Sequence, residues 1–159
     1  MPIPDFILEI RKMIGQHEMW LPGVTAVVSR GSADEQEVLL VRRADNGAWT
    51  PITGIPEIGE EPAAAAAREA LEETDVVVSV DRLASTSAHP GIVHANGDRA
   101  SYLDLTFACS YVSGEAHVAD DESMDVRWFP RDGMPEMAES MTRRIEDALS
   151  GEQAARFVR

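Results

Sequence analysis

A chain of 159 residues, 44% hydrophobic and 26% charged, has the make-up of a single soluble globular domain large enough to bury a core. Its 28 acidic against 14 basic residues leave a formal charge of −14, which opposes nucleic-acid binding. No apolar run nears the roughly 18 residues that span a bilayer. The opening MPIPDFILEIRKMIG lacks a positively charged leader and sets Asp5 and Glu9 among its apolar residues, so a cytoplasmic protein is expected.

The first element is an amphipathic helix over about 4–14, with Phe6, Ile7, Ile10, Met13 and Ile14 on one stripe and Gly15 at its end. The stripe fits both a cover for the core and a homodimer contact. GVTAVVS and EVLLVRR read as strands, the second buried on both sides because Val38 to Val41 are all apolar. A Gly- and Pro-rich connection, TPITGIPEIGEEP, leads to Pro62 at the first turn of a helix that runs to about residue 74. VVVSV is a further strand. LASTSAHPGIVHA and RASYLDLTFACSYV flank NGD, which predicts a hairpin because Asn and Gly accept the positive φ of a tight turn. Cys109, the only cysteine, alternates with Leu103, Leu105, Phe107 and Tyr111 and reads as a buried structural thiol. DVRWF is a short strand, and a helix over about 135–149 carries Met137, Met141, Ile145, Ala148 and Leu149 on one stripe. Mixed strands with helices at both ends and one between predict an α/β fold, a sheet sandwiched by helices in one domain over 1–159.

The stretch REALEETD, residues 68–75, sets Glu69, Glu72 and Glu73 at i, i+3 and i+4. Like charges at that spacing repel by a few tenths of a kcal/mol per pair, so either the face is solvated or a positive group belongs there. Three carboxylates on adjacent turns form the hard-oxygen set that Mg²⁺ takes, usually together with waters and substrate phosphates.

Read outward, residues 54–76, GIPEIGEEPAAAAAREALEETDV, closely resemble the Nudix box, G-x5-E-x7-R-E-U-x-E-E-x-G-U with U a bulky apolar residue. Gly54, Glu60, Arg68, Glu69, Glu72 and Glu73 match its fixed positions. Asp75 stands where the family has Gly, Ala70 fills an apolar position, and Thr53 precedes Gly54 where many relatives have a second Gly. Asp tolerates the left-handed conformation of that helix end at a cost of about 1 kcal/mol.

The resemblance implies the Nudix α/β/α sandwich with a mixed sheet, and hydrolysis of a nucleoside diphosphate linked to another moiety X. It implies Mg²⁺ as cofactor, with Mn²⁺ as a substitute. The metal ligands it implies are the Gly54 carbonyl, Glu69, Glu72 and Glu73, with Glu72 and Glu73 also counted as catalytic. Arg68 is expected to brace the loop through Glu60. By analogy with relatives, Glu122, in the loop before the VRWF strand, is a candidate catalytic base. Glu57 is open between an outer metal contact and a surface charge.

Arg42 and Arg43 end one strand, so at most one faces the site, and a surface ion pair is the expected reading for each. Trp49 is expected to pack against the box, and His89, His94 and Tyr102 to be ordinary hairpin residues. The expected partner is a nucleotide, an ADP-ribose-like nucleotide sugar or a nucleoside triphosphate, with no nucleic acid and no membrane. A Nudix-like nucleotide-binding or regulatory module without turnover is the alternative, and the intact glutamates oppose it.

Overall fold

The computed structural model describes residues 3–159. Helix α1 (Asp5–Ile14) precedes strand β1 (Met19–Arg30), and a short 3-10 turn at Ala33–Glu35 leads to β2 (Glu37–Arg43). Two brief strands, β3 (Trp49–Thr50) and β4 (Ile52–Gly54), come before α2 (Pro62–Thr74). The long pair β5 (Val77–Val93) and β6 (Arg99–Ser113) is followed by β7 (Ser123–Pro130), α3 (Glu139–Leu149) and β8 (Arg156–Phe157). The strands form one mixed sheet in the order β3-β2-β1-β6-β5-β8, with β4 paired to β1 and β7 to β2. The β1–β6 pairing is parallel, from Met19 opposite Ala100 to Ser29 opposite Ser110.

The two faces of the sheet follow from strand alternation. Val24, Ala26 and Val28 of β1 point to α2, together with Leu39, Val41, Ile52, Phe107 and Cys109. Val27 points the other way with Val38, Leu40 and Ala84, against Ile145 and Ala148 of α3. Both sides of β2 are therefore covered, as its unbroken apolar run predicts. Ala65 and Ala66, in a run of five alanines at 63–67, and Ala70 after it are fully buried, and their small side chains let α2 lie close on the sheet. Cys109 is buried, and desolvation pushes its thiol up to about 12, so it is inert as a nucleophile.

The first part of the α1 stripe is used within the chain, while Met13 and Ile14 stay exposed. Ile7 packs with Met19, Leu21 and Ala100, and Phe6 and Ile10 join that cluster beside Ile55 and Tyr102. Helix α3 is tied to the sheet by Arg144, whose Nη1 donates to Thr25 Oγ1 at 2.9 Å and pairs with Asp104 at 3.3 Å. Asp104 also accepts from Thr25 and Thr106 at 2.8 and 2.7 Å, so this buried charge is hydrogen-bonded on each oxygen.

Three differences from the sequence expectations have physical causes. The strands expected at 76–80 and 83–95 are one strand, because register shifts around Asp81 absorb the extra residues and Ser110 Oγ donates to Asp81 from across the ladder at 2.5 Å. The third helix starts at Glu139, not near residue 135, and Met134 and Met137 reach the core from the non-helical stretch before it. The connection before α2 holds two strands that its Gly and Pro content conceals, since Pro51 falls between them.

Candidate active site

β4, the loop after it and α2 build the site. Gly54 ends β4 opposite Val24 of β1, so the sheet fixes its position. A Cβ at residue 54 would overlap the Cγ, Cδ and Oε1 atoms of Glu69, so the missing side chain is what admits that carboxylate against the strand. Glu69 is only 1% exposed, and its Oε2 has no hydrogen-bond partner in the protein. A buried, unpartnered carboxylate oxygen is costly unless something outside the chain's own donors meets it.

Glu73 lies one turn on and is 4% exposed, with Ser123 Oγ 3.5 Å from its Oε2. Burial raises the carboxyl of Glu69 to about 7, partly offset by Arg68. Burial raises Glu73 further, to about 8, and the charges of Glu69, Asp120 and Glu122 add to the shift. In the protein alone these two groups resist ionising together, and a divalent cation would reverse that.

Both pKa values lie above the ordinary carboxyl range, so the two groups stabilise the metal-free fold while protonated. That contribution is complete below about pH 4.5 and is lost as pH rises through about 7 to 8. The expected outcome is a falling Tm between pH 5 and pH 8.5 in the presence of a chelator, read by calorimetry, and a flatter profile with excess Mg²⁺. A metal-free Tm that rises across this window would contradict the assignment.

Arg68 braces the loop to the helix. Its Nε and Nη2 donate to the two oxygens of Glu60, each at 2.8 Å, and Nη1 donates to Glu69 at 3.1 Å and Glu72 at 3.0 Å. Glu60 in turn accepts from the Glu57 backbone N–H at 2.9 Å, which closes the turn after β4. Lysine cannot reproduce this fork. Arg68→Lys is expected to remove about 2 kcal/mol of stability, about one charge-assisted hydrogen bond, or roughly 4–8 °C in Tm. An unchanged Tm would show that the brace is dispensable.

The end of α2 is set by Asp75, the chain's departure from the box, which adopts φ 56° and caps the helix as glycine would. Beyond it, the loop between β6 and β7 folds back. His117 N donates to Thr74 O at 3.2 Å and Ala119 N to Glu73 O at 3.1 Å, which satisfies carbonyls of the last helical turn. This docking sets Asp120 and Glu122 near enough to Glu73 for their charges to act on it.

The structure thus brings Gly54, Arg68, Glu69, Glu72, Glu73 and Glu122 to one end of the molecule. Glu72, with its side chain 43% exposed, is turned onto Arg68. Among the described residues, no three acidic, histidine or cysteine side chains already converge as a closed metal cage. The unpartnered oxygen of Glu69, the buried acid of Glu73 and the glycine cradle nonetheless suit a divalent cation that keeps open positions for water and substrate.

Of the two arginines that end β2, one faces the region, and Ser123, which the sequence did not signal, joins it. Arg43 pairs with Asp45 through two hydrogen bonds of 2.9 and 2.8 Å, as a surface pair does, but it also feels Glu122 and Glu73. Arg42 turns to the Gly47 carbonyl instead. Ser123 Oγ approaches Glu73 across 50 residues of sequence, which no local pattern signals. Trp49, expected to pack against the box, instead packs edge-on to Phe129 on the α3 side of the sheet. His94 and Tyr102 bond each other at 2.9 Å, and His89 pairs with Ser87.

The NUDIX domain family matches residues 19–149. A MutT-like protein of Streptomyces ambofaciens is 37% identical over 129 residues, covering 80% of this chain and 76% of that one. The NAD-capped RNA hydrolase NudC of Vibrio cholerae is 32% identical over 108 residues, covering 65% of this chain but only 36% of NudC. The chain therefore spans about a third of that relative's length. In fold, a NUDIX hydrolase from Nitrosomonas europaea superposes with a TM-score of 0.69 at 24% identity, covering 86% of this chain and 93% of the other.

Proposed function

The chain belongs to the NUDIX domain family of hydrolases, and from that premise we propose that it hydrolyses the diphosphate bridge of a nucleoside diphosphate linked to X, with Mg²⁺ as cofactor. The observation that supports this most is the Glu69 carboxylate, buried over Gly54 with one oxygen unpartnered, beside the buried Glu73. Glu69, Glu73 and the Gly54 carbonyl would hold the cation, with Glu72 joining directly or through water. When bound, such a cation would neutralise the negative charge on the diphosphate's oxygens and lower the pKa of the attacking water.

The chain's own groups do the rest. Arg68 holds the loop and three of the box glutamates in one arrangement. The docked loop sets Glu122 near Glu73 as the candidate acceptor of the water's proton, and Ser123 orients Glu73. Arg43 lends positive charge on the same side. Much of the rate would come from such positioning and fixed charge. Water adds to one phosphorus, the P–O bond of the bridge breaks, and a nucleoside monophosphate leaves with phosphorylated X, or with pyrophosphate if the substrate is a triphosphate. The NudC relative is named for hydrolysing NAD-capped RNA, and NAD contains the same diphosphate bridge between two groups.

The test is a Mg²⁺-dependent turnover screen over nucleoside diphosphate sugars and nucleoside triphosphates, with products separated by chromatography. Cleavage of one class, lost on chelation, is the expected result, and the bond broken names the substrate class. Nucleotide binding with no cleavage of either class would instead support a module without turnover.

A further inference from the structure

Residues 3–18 lie ahead of the matched family domain, yet their first part reaches the site. A cavity of about 610 Å³ is lined on one side by Ile3, Pro4 and Asp5, and on the other by Glu57, Arg68, Glu72 and Asp120. That volume falls within the roughly 300–1,000 Å³ of small-molecule sites.

The N-terminal side is firmly held. Pro4 is buried, and its carbonyl accepts from Ile7 N at 2.9 Å and Leu8 N at 3.3 Å at the start of α1. Arg11 fastens the other end of the helix by donating to the carbonyls of His17 at 2.6 Å and Arg99 at 2.7 Å, with Asp98 paired at 3.6 Å. Between these points Ile7 is sunk into its own cluster next to Ile55 of the box loop.

We infer that residues 3–5 are a specificity-determining wall of the active site, limiting the size of the diphosphate substituent that projects toward α1. The inference rests on the diphosphate hydrolase reading. The side chains of Ile3 and Pro4 offer no donor to a phosphate, so they act by filling space and excluding water. Asp5 adds a carboxylate to a cavity that already holds Glu57, Glu72 and Asp120, so the wall gives an anionic substituent no attraction of its own.

The test measures binding to the full chain by calorimetry with Mg²⁺ present, so it does not depend on turnover. The probes are methylenediphosphonate, which has no substituent, and the non-hydrolysable methylene analogue of ADP-ribose. Ile3 is 47% exposed and belongs to none of the core clusters, so its variants retain the fold. Ile3→Trp is expected to weaken the bulky analogue by about tenfold while leaving methylenediphosphonate within about twofold. Ile3→Gly is expected to tighten the bulky analogue alone.

Equal changes for both probes, or no change for either, would overturn the wall while leaving the hydrolase reading intact if wild type still turns over. Failure of wild type to bind either probe would remove both.

Discussion

Glu73→Gln is expected to lower kcat by about two to three orders of magnitude, the scale on which one fixed charge-stabilising group acts in an active site. The substitution keeps the shape of the side chain and removes its charge. Glu73 is 4% exposed and already resists ionisation, so a neutral amide in its place does not disturb the metal-free fold. The metal-free Tm at pH 8 should hold or rise, because repulsion from Glu69, Asp120 and Glu122 is relieved. Loss of rate with Tm kept would locate the effect in the chemistry. Unchanged kcat would remove Glu73 from the proposed ligand set.

Gly54→Ala is expected to lower turnover by more than about a hundredfold through a single methyl group. The new Cβ would occupy the space now filled by the carboxylate of Glu69. Glu69 has little room to retreat, since it is 1% exposed. Either β4 shifts away from its pairing with Val24 or the carboxylate leaves its place. Overpacking of this kind costs about 1–3 kcal/mol, or roughly 2–12 °C in Tm. Activity should fall by more than about a hundredfold, since a displacement near 1 Å is enough for that. Thr53→Ala, at the neighbouring position, is the control expected to retain activity. A fully active Gly54→Ala enzyme would show that the contact between Gly54 and Glu69 is not needed for catalysis.

The site was legible where its parts lie close in sequence. The spacing of Glu69, Glu72 and Glu73 fixes one helical face with Arg68 four residues before Glu72, whereas the brace from Arg68 to Glu60 was implied by the resemblance to the Nudix box. Asp75 was legible because it stands at the box's Gly position, where a positive φ ends the helix and Asp tolerates it. What brings Asp120 and Glu122 to Glu73 is a pair of backbone hydrogen bonds from His117 and Ala119, and backbone bonds leave no mark on residue types. Arg43 differed from Arg42 only by strand phase, which the sequence cannot assign without the register of β2 against β7. The apolar stripe of α1 suited either a core or a partner, and its packing divides it: Ile7 sits on Met19 and Leu21, while Met13 and Ile14 stay exposed. The split reading of β5 failed because Asp81 and Arg82 resemble a turn, while a bulge keeps them in the ladder.

The most direct test of the metal-centred account is a Mn²⁺ titration of the wild-type chain followed by electron paramagnetic resonance, with Glu69→Gln and Glu73→Gln alongside. The account predicts that wild type binds Mn²⁺, that Mg²⁺ competes for the same site, and that either substitution weakens binding by about tenfold or more. Equal Mn²⁺ binding by all three proteins would contradict it, because the two buried carboxylates would then be holding nothing.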